Sequence, residues 1–124
     1  MARPAENRDV HTIDANLVLD LQQLRDITLD DEELMREVLT ALIEDTSKHL
    51  ELLDSAIRAQ DQERCKRLAH YCKGACANVG ANAAAAVLRR IEEDASSQDY
   101  NECAGSLVAL HDEMFRLRIE AESL

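Results

Sequence analysis

The residues best equipped for chemistry are His70, Lys73 and Gly74, in the run Leu68-Ala69-His70-Tyr71-Cys72-Lys73-Gly74-Ala75-Cys76-Ala77-Asn78-Val79-Gly80-Ala81. A free imidazole is a competent nucleophile near neutrality, because its ordinary pKa is about 6.5. A metal-binding histidine would need companion ligands, and a hydrolytic base would need a nucleophile or a bound water. Neither is evident near His70. A lone histidine with space around it can instead accept a phosphoryl group. Lys73 puts positive charge where that group would bring negative charge. Gly74 has no Cβ and lets another surface come close. A glycine inside a helix costs about 1 kcal/mol against alanine, so either a close-approaching partner or tight helix packing has to offset it.

These residues need a helix to position them. Cys65, Leu68, Ala69, Cys72, Ala75, Cys76 and Val79 recur at spacings of three and four and form one apolar stripe. Each helical residue turns the direction by about 100°, so His70 points away from Leu68 and Cys72 and toward water. Lys73 and Gly74 follow at i+3 and i+4 on the same face.

The rest of the chain supplies further helices. Residues 1–12 are polar and are expected to form a flexible tail, with 13–124 as one folded domain. Ile13, Leu17, Leu19, Leu21 and Leu24 indicate a short first helix over about 14–25, with Ile27-Thr28-Leu29 as a link. Asp30 is the expected N-cap of a long helix running to about Ala59, with Glu33 completing a capping box. The apolar stripe of that helix is Leu34, Val38, Leu42, Thr46 (or Ile43), His49, Leu50, Leu53 and Ile57, with His49 at its edge. Asp61 suits the cap of the His70 helix, and Gly80 a left-handed C-cap. Asn82 is the expected N-cap of a helix over 83–94 that turns Ala84, Val87, Leu88 and Ile91 inward. Asp99 and Glu102 read as a second capping box. They precede a last helix to about Glu122, with Tyr100, Cys103, Leu107, Leu110, Met114 and Leu117 inward. His111 falls off that stripe as a surface residue. The links are short, so successive helices should be antiparallel neighbours. The expected fold is all-α: an antiparallel up-down-up-down four-helix bundle with a short additional N-terminal helix.

Composition agrees and narrows the function. The chain has 124 residues, enough for one domain. Hydrophobic residues make up 46% and aromatic ones only 2%, so the core must be aliphatic. With one Pro and three Gly, the punctuation of a β-rich fold is missing. No run approaches the roughly 18 apolar residues of a membrane span, and the N-terminus has no apolar signal region. A formal net charge of -11 disfavours nucleic acid and anionic membranes as partners. Against that background Arg64, Lys66, Arg67 and Lys73 form a local basic patch that could orient an acidic partner. Cys65, Cys72, Cys76 and Cys103 sit on core stripes. Their spacing matches no zinc pattern, and buried reduced thiols are expected, with no metal site. A cytoplasmic setting follows.

The string His70-x-x-Lys73-Gly74, followed by Asn78-x-Gly80-Ala81, resembles the signature of histidine-containing phosphotransfer (HPt) domains of bacterial phosphorelays. The likeness extends from about Leu21 to Leu117. It departs from the family at Cys72, where leucine is usual. That site faces the core, so the change should shrink the packed volume and leave the chemistry intact. The resemblance implies that His70 is phosphorylated, by the family's usage on Nε2, and that Lys73 supports the phosphoryl group. It implies that Glu92, on the next helix, orients the other ring nitrogen. It places receiver docking on Gly74, with Lys66, Arg67 and Ala77 around it.

The implied partners are receiver domains of response regulators or a hybrid sensor histidine kinase. No cofactor is expected on this chain, and Mg²⁺ is expected on the partner receiver during transfer. There is no Gly-rich nucleotide loop, so the chain is not expected to phosphorylate itself from ATP. A monomer is expected. Two other readings fit a helical chain of this kind: an interaction module that carries no phosphate, and the phosphoryl-accepting domain of a chemotaxis-type histidine kinase. A metal or redox bundle lacks the paired Glu-x-x-His motifs it would need.

Overall fold

Four aspartates start four of the helices. In a computed structural model, which describes residue 14 and residues 16–124, the helices are α1 (Leu21–Thr28), α2 (Glu32–Arg58), α3 (Gln62–Val79), α4 (Asn82–Ser96) and α5 (Tyr100–Glu122). Asp20, Asp31, Asp61 and Asp99 each accept a hydrogen bond from the backbone N–H three residues on, at 3.1–3.2 Å. Each cap satisfies a donor that has no partner within its own helix. There is no strand among the described residues, and no described helix is long and apolar enough to cross a membrane. The expected tail, with His11, and Ile13 lie outside the described residues.

Two caps and one capping box differ from expectation. The second helix is capped by Asp31 rather than Asp30, because α1 runs on through Ile27 and Thr28. The chain then needs two left-handed residues to turn, Leu29 (φ 55°) and Asp30 (φ 63°). An N-cap needs extended backbone, which only Asp31 has (φ -81°, ψ 107°). Leu34 therefore stands at the third helical position, and no capping box forms. At the last helix Asp99 caps as expected, but its own N–H goes to the Asp94 carbonyl at 2.8 Å rather than to Glu102. The third difference is at α4, where Asn82 is not the cap. It is a buried first residue of the helix, and the cap position is Ala81.

The N-terminal segment explains both α4 and α1. The Leu17 carbonyl accepts from Ala83 N–H at 2.9 Å, and Asp20 N–H donates to the Gly80 carbonyl at 2.8 Å. Backbone thus replaces the side-chain cap at α4. The same bonds hold residues 17–20 out of helical conformation, so the first helix starts at Leu21 rather than near Asp14. Gly80 is required twice at this corner. Its φ is +95°, and a Cβ there would lie 2.8 Å from the Asp20 carbonyl oxygen. The Gln23 amide then donates to the carbonyls of Ala77 and Asn78, the free end of α3, at 2.7 and 3.1 Å.

α2 packs on α3, α3 on α4, α4 on α5, and α5 returns to α2, while α1 lies against α2 and α3. The core between them is aliphatic, with Leu39, Leu53, Leu88, Ile91, Leu110 and Leu117 excluded from solvent. The inward face of α2 is Leu42, Ile43, Thr46, Leu50, Leu53 and Ile57, as the pattern indicates. Its first half differs: Met35 and Leu39 are buried while Leu34 is exposed, because that half also covers α1. All four cysteines are free and buried. Burial pushes the Cys72 thiol up to about 12, and the Cys76 and Cys103 thiols up to about 11; nearby charges add to the rise at Cys72 and Cys103, and a hydrogen bond with Thr46 opposes it at Cys76. Thiols so held stay protonated and inert.

Candidate functional site

The α3–α4 corner sets the register of the site. His70 lies ten residues before Gly80, and Glu92 eleven after Ala81. At 1.5 Å per residue the two arms are about 15 and 16.5 Å long, so antiparallel helices bring these residues level. Ala81 and Ala84 are buried and small, which allows the backbones to approach closely. The resulting contact is direct: His70 Nδ1 lies 2.9 Å from Glu92 Oε2. The other carboxylate oxygen, Oε1, accepts from Lys73 Nζ at 2.6 Å. One carboxylate thus ties together the histidine and the lysine of α3.

The charge on Glu92 follows from its surroundings. Partial burial would raise the Glu92 carboxyl. The hydrogen bonds from Lys73 and His70, with their charges, outweigh it and hold the group below its ordinary 4.5. Glu92 is therefore ionised near neutrality, and an ionised carboxylate can only accept. The contact therefore has His70 Nδ1–H as its donor, and in the neutral ring this leaves the Nε2 lone pair unengaged. The imidazole is 70% exposed, while Lys73 and Glu92 are 27% and 23% exposed. The ring stands largely in water, and the two side chains that hold it are half-buried.

Gly74 is exposed beside His70, and a Cβ built there would meet nothing within 4 Å. The chain's own packing therefore gives no reason for a glycine. A groove of about 310 Å³ runs next to it between α3 and α4, with Ala77 and Ala85 in its wall and Lys73 and Arg89 at its rim. Arg67 is exposed and lies 3.9 Å from Glu63, a weak surface pair. Lys66 is half-buried on the same helix. The structure thus brings His70, Lys73, Glu92, Gly74 and Ala77 into one site, with Arg67 and Lys66 a turn away. The Lys73 ammonium is engaged by Glu92. Arg89 is an addition that sequence reasoning missed. Its signal was available: it lies three residues before Glu92, on a neighbouring face of α4.

On the other side of His70 stands a second cluster. Tyr71 is the next residue, so its side chain turns about 100° toward α2. Its hydroxyl donates to Asp45 Oδ2 at 2.9 Å. That bond, and the Asp45 charge after it, raise the phenol pKa and keep the hydroxyl a donor. His49 stacks on the Tyr71 ring with centroids 4.6 Å apart, and its Nδ1 lies 2.8 Å from the Asp45 carbonyl oxygen. His49 is half-buried, as the boundary position in the sequence indicates. His111 is exposed on α5, away from the α3 face. Among the described residues, no group of three or more His, Cys, Asp or Glu side chains is placed to hold a metal ion.

Comparison with known proteins gives three findings. The profile of the Hpt domain family matches residues 37–120. A search of curated proteins returned no significant match. Two solved structures share the fold. One is histidine-containing phosphotransfer protein B (HptB) of Pseudomonas aeruginosa PAO1, with a TM-score of 0.78 at 24% identity, covering 86% of this chain and 92% of that one. The other is a candidate histidine-containing phosphotransfer protein from rice, with a TM-score of 0.77 at 16% identity, covering 96% of this chain and 91% of that one.

Proposed function

The chain belongs to the Hpt domain family, and from that premise we propose that it carries a phosphoryl group from one receiver domain to another on His70. The observation that carries this reading is the held ring: an exposed imidazole with Nδ1–H on an ionised Glu92 and Nε2 unengaged. In the first step Nε2 attacks the phosphorus of a receiver's aspartyl phosphate. The P–N bond forms as the P–O bond to the aspartate breaks, and the aspartate leaves as a carboxylate. The ring becomes more positive, and Glu92 offsets that charge through Nδ1–H. In the second step an aspartate of another receiver takes the phosphoryl group, and the lone pair returns to Nε2.

Lys73 lies where it can turn from Glu92 toward a phosphoryl oxygen, so the ammonium is shared between two anions once His70 is loaded. Gly74 and Ala77 leave room for the receiver, and Lys66 and Arg67 attract its acidic surface. Mg²⁺ belongs to the receiver, where it stabilises the transferring group. The helices are read as an up-down-up-down bundle with α1 across it. Contacts from each long helix to the next and from α5 back to α2, with no close backbone approach along either diagonal, support this arrangement.

The test is transfer from receiver domains phosphorylated on aspartate, with Mg²⁺ present, to wild type and to His70→Gln. Label on the wild type alone supports the reading. Equal label on both places the phosphate elsewhere and overturns it.

A further inference from the structure

The geometry points to Tyr71 as a pre-set aromatic anchor for the receiver domain, held in place by Asp45 and His49. This rests on the phosphotransfer reading of His70 and adds a residue that selects the partner without taking part in the chemistry.

Position comes first. Any surface that reaches His70 Nε2 must cover its neighbours, since a standard interface takes about 800 Å² from each side. Tyr71 adjoins His70 on the α2 side, opposite Lys73 and Glu92, and is 51% exposed. Only three aromatic residues occur in the chain: Tyr71, Tyr100 and Phe115. Tyr71 and Tyr100 occupy α3 and the start of α5, and Phe115 lies further along α5. Tyr71 is thus the aromatic side chain on the face of His70.

Order comes second. Most exposed tyrosines lose rotamer freedom on binding, which weakens association. Tyr71 has already lost it. Its hydroxyl is tied to Asp45 at 2.9 Å, and one ring face is covered by His49 at 4.6 Å. About half of the residue stays exposed. Asp45, His49 and Leu52 recur at i, i+4 and i+7 on α2, and Leu52 is exposed as well. The patch is therefore continuous from His70 across Tyr71 to α2. Ordered aromatic residues of this kind dominate many protein interfaces.

The occupant is the phosphorylated receiver, for two reasons. The patch is continuous with the face through which His70 must exchange phosphate. The basic groups on that face, Arg64, Lys66 and Arg67, complement the carboxylates of a phospho-accepting centre in a chain whose net charge is otherwise -11.

The experiment measures transfer from a phosphorylated receiver over a range of receiver concentrations, for wild type, Tyr71→Ala and Tyr71→Phe. Direct labelling of His70 by phosphoramidate, a small donor that needs no docking, runs in parallel. Tyr71→Ala is expected to raise KM about tenfold with kcat within about twofold. Tyr71→Phe keeps the stacked ring and loses the tether, so its KM should rise about threefold. Phosphoramidate labelling and helicity should stay at wild-type levels in both. An unchanged KM in Tyr71→Ala, with wild type labelled normally, would overturn the anchor alone. Equal losses in receiver and phosphoramidate labelling would also overturn it, by showing that Tyr71 acts on His70 itself. A wild type that takes no phosphate from any receiver would overturn the phosphotransfer reading and the anchor together.

Discussion

Replacing Gly74 should make the protein more stable and less active. A glycine inside an α-helix is about 1 kcal/mol worse than alanine. A Cβ at Gly74 would meet nothing within 4 Å, so no clash subtracts from that gain. Gly74→Ala should therefore raise stability by about 1 kcal/mol, or about 4 °C in Tm for a domain of this size. Gly74→Leu should keep most of that gain, because leucine is also a strong helix former. Its side chain would stand beside His70 at the mouth of the groove, however, and transfer from a receiver should fall at least tenfold.

The other two glycines are internal controls. Gly105 also has nothing within 4 Å of a built Cβ but lies on α5. Gly105→Ala should be stabilising to the same degree and leave transfer untouched. Gly80→Ala meets the Asp20 carbonyl at 2.8 Å with a φ of +95°. It should cost about 2 kcal/mol or more from strain and contact together. Urea melts and receiver-dependent labelling of the same samples give both readouts. A destabilised Gly74→Ala would show that this glycine serves packing. A Gly74→Leu that transfers at the wild-type rate would show that the face is not where the receiver docks.

Glu92→Gln should slow transfer about tenfold, since it replaces a charge-assisted hydrogen bond to Nδ1–H by a neutral one and leaves Lys73 unpaired. ¹⁵N shifts of the His70 ring should show the proton redistributing between Nδ1 and Nε2; an unchanged ring spectrum would contradict the role given to Glu92. Acid should act the same way on the wild type. The Glu92 pKa is lowered by folding, so the stabilisation it brings is present above 4.5 and is lost as pH falls through the lower folded value. The stability difference between wild type and Glu92→Gln should shrink over that range, and a constant difference would count against it. The four cysteines should resist a charged thiol reagent at pH 8 in the native state and react together on unfolding, whereas fast native labelling would contradict their burial.

What could be read from the sequence was local. The outward turn of His70, the cap at Asp61 and the left-handed Gly80 follow from helical period and cap chemistry within a few residues. The Glu92 contact came from the family resemblance and not from helical period, and the structure shows its geometry: two helices of matched length around one tight corner. The start of the first helix, the cap at Asp31 and the buried Asn82 were out of reach. Each depends on backbone bonds between residues 17–20 and the Gly80 corner, some sixty positions on, or on two left-handed residues that carry no glycine. The first half of α2 failed for a similar reason: Met35 replaces Leu34 in the core because α1 has to be covered too. Tyr71 was visible as the neighbour of His70, but its tether to Asp45 and stacking on His49 needed the packing of α2 on α3.

The central claim is tested most directly by isolating the labelled protein and following the phosphate. Wild type loaded by a phosphorylated receiver and freed of it should hold its label in alkali and lose it in acid, as a phosphohistidine does. On mixing with a second receiver and Mg²⁺, the label should pass to that receiver's aspartate without ATP, and His70→Gln should neither load nor pass it. Label that His70→Gln also carries, or that leaves the wild type only as free phosphate whatever receiver is added, would contradict the account.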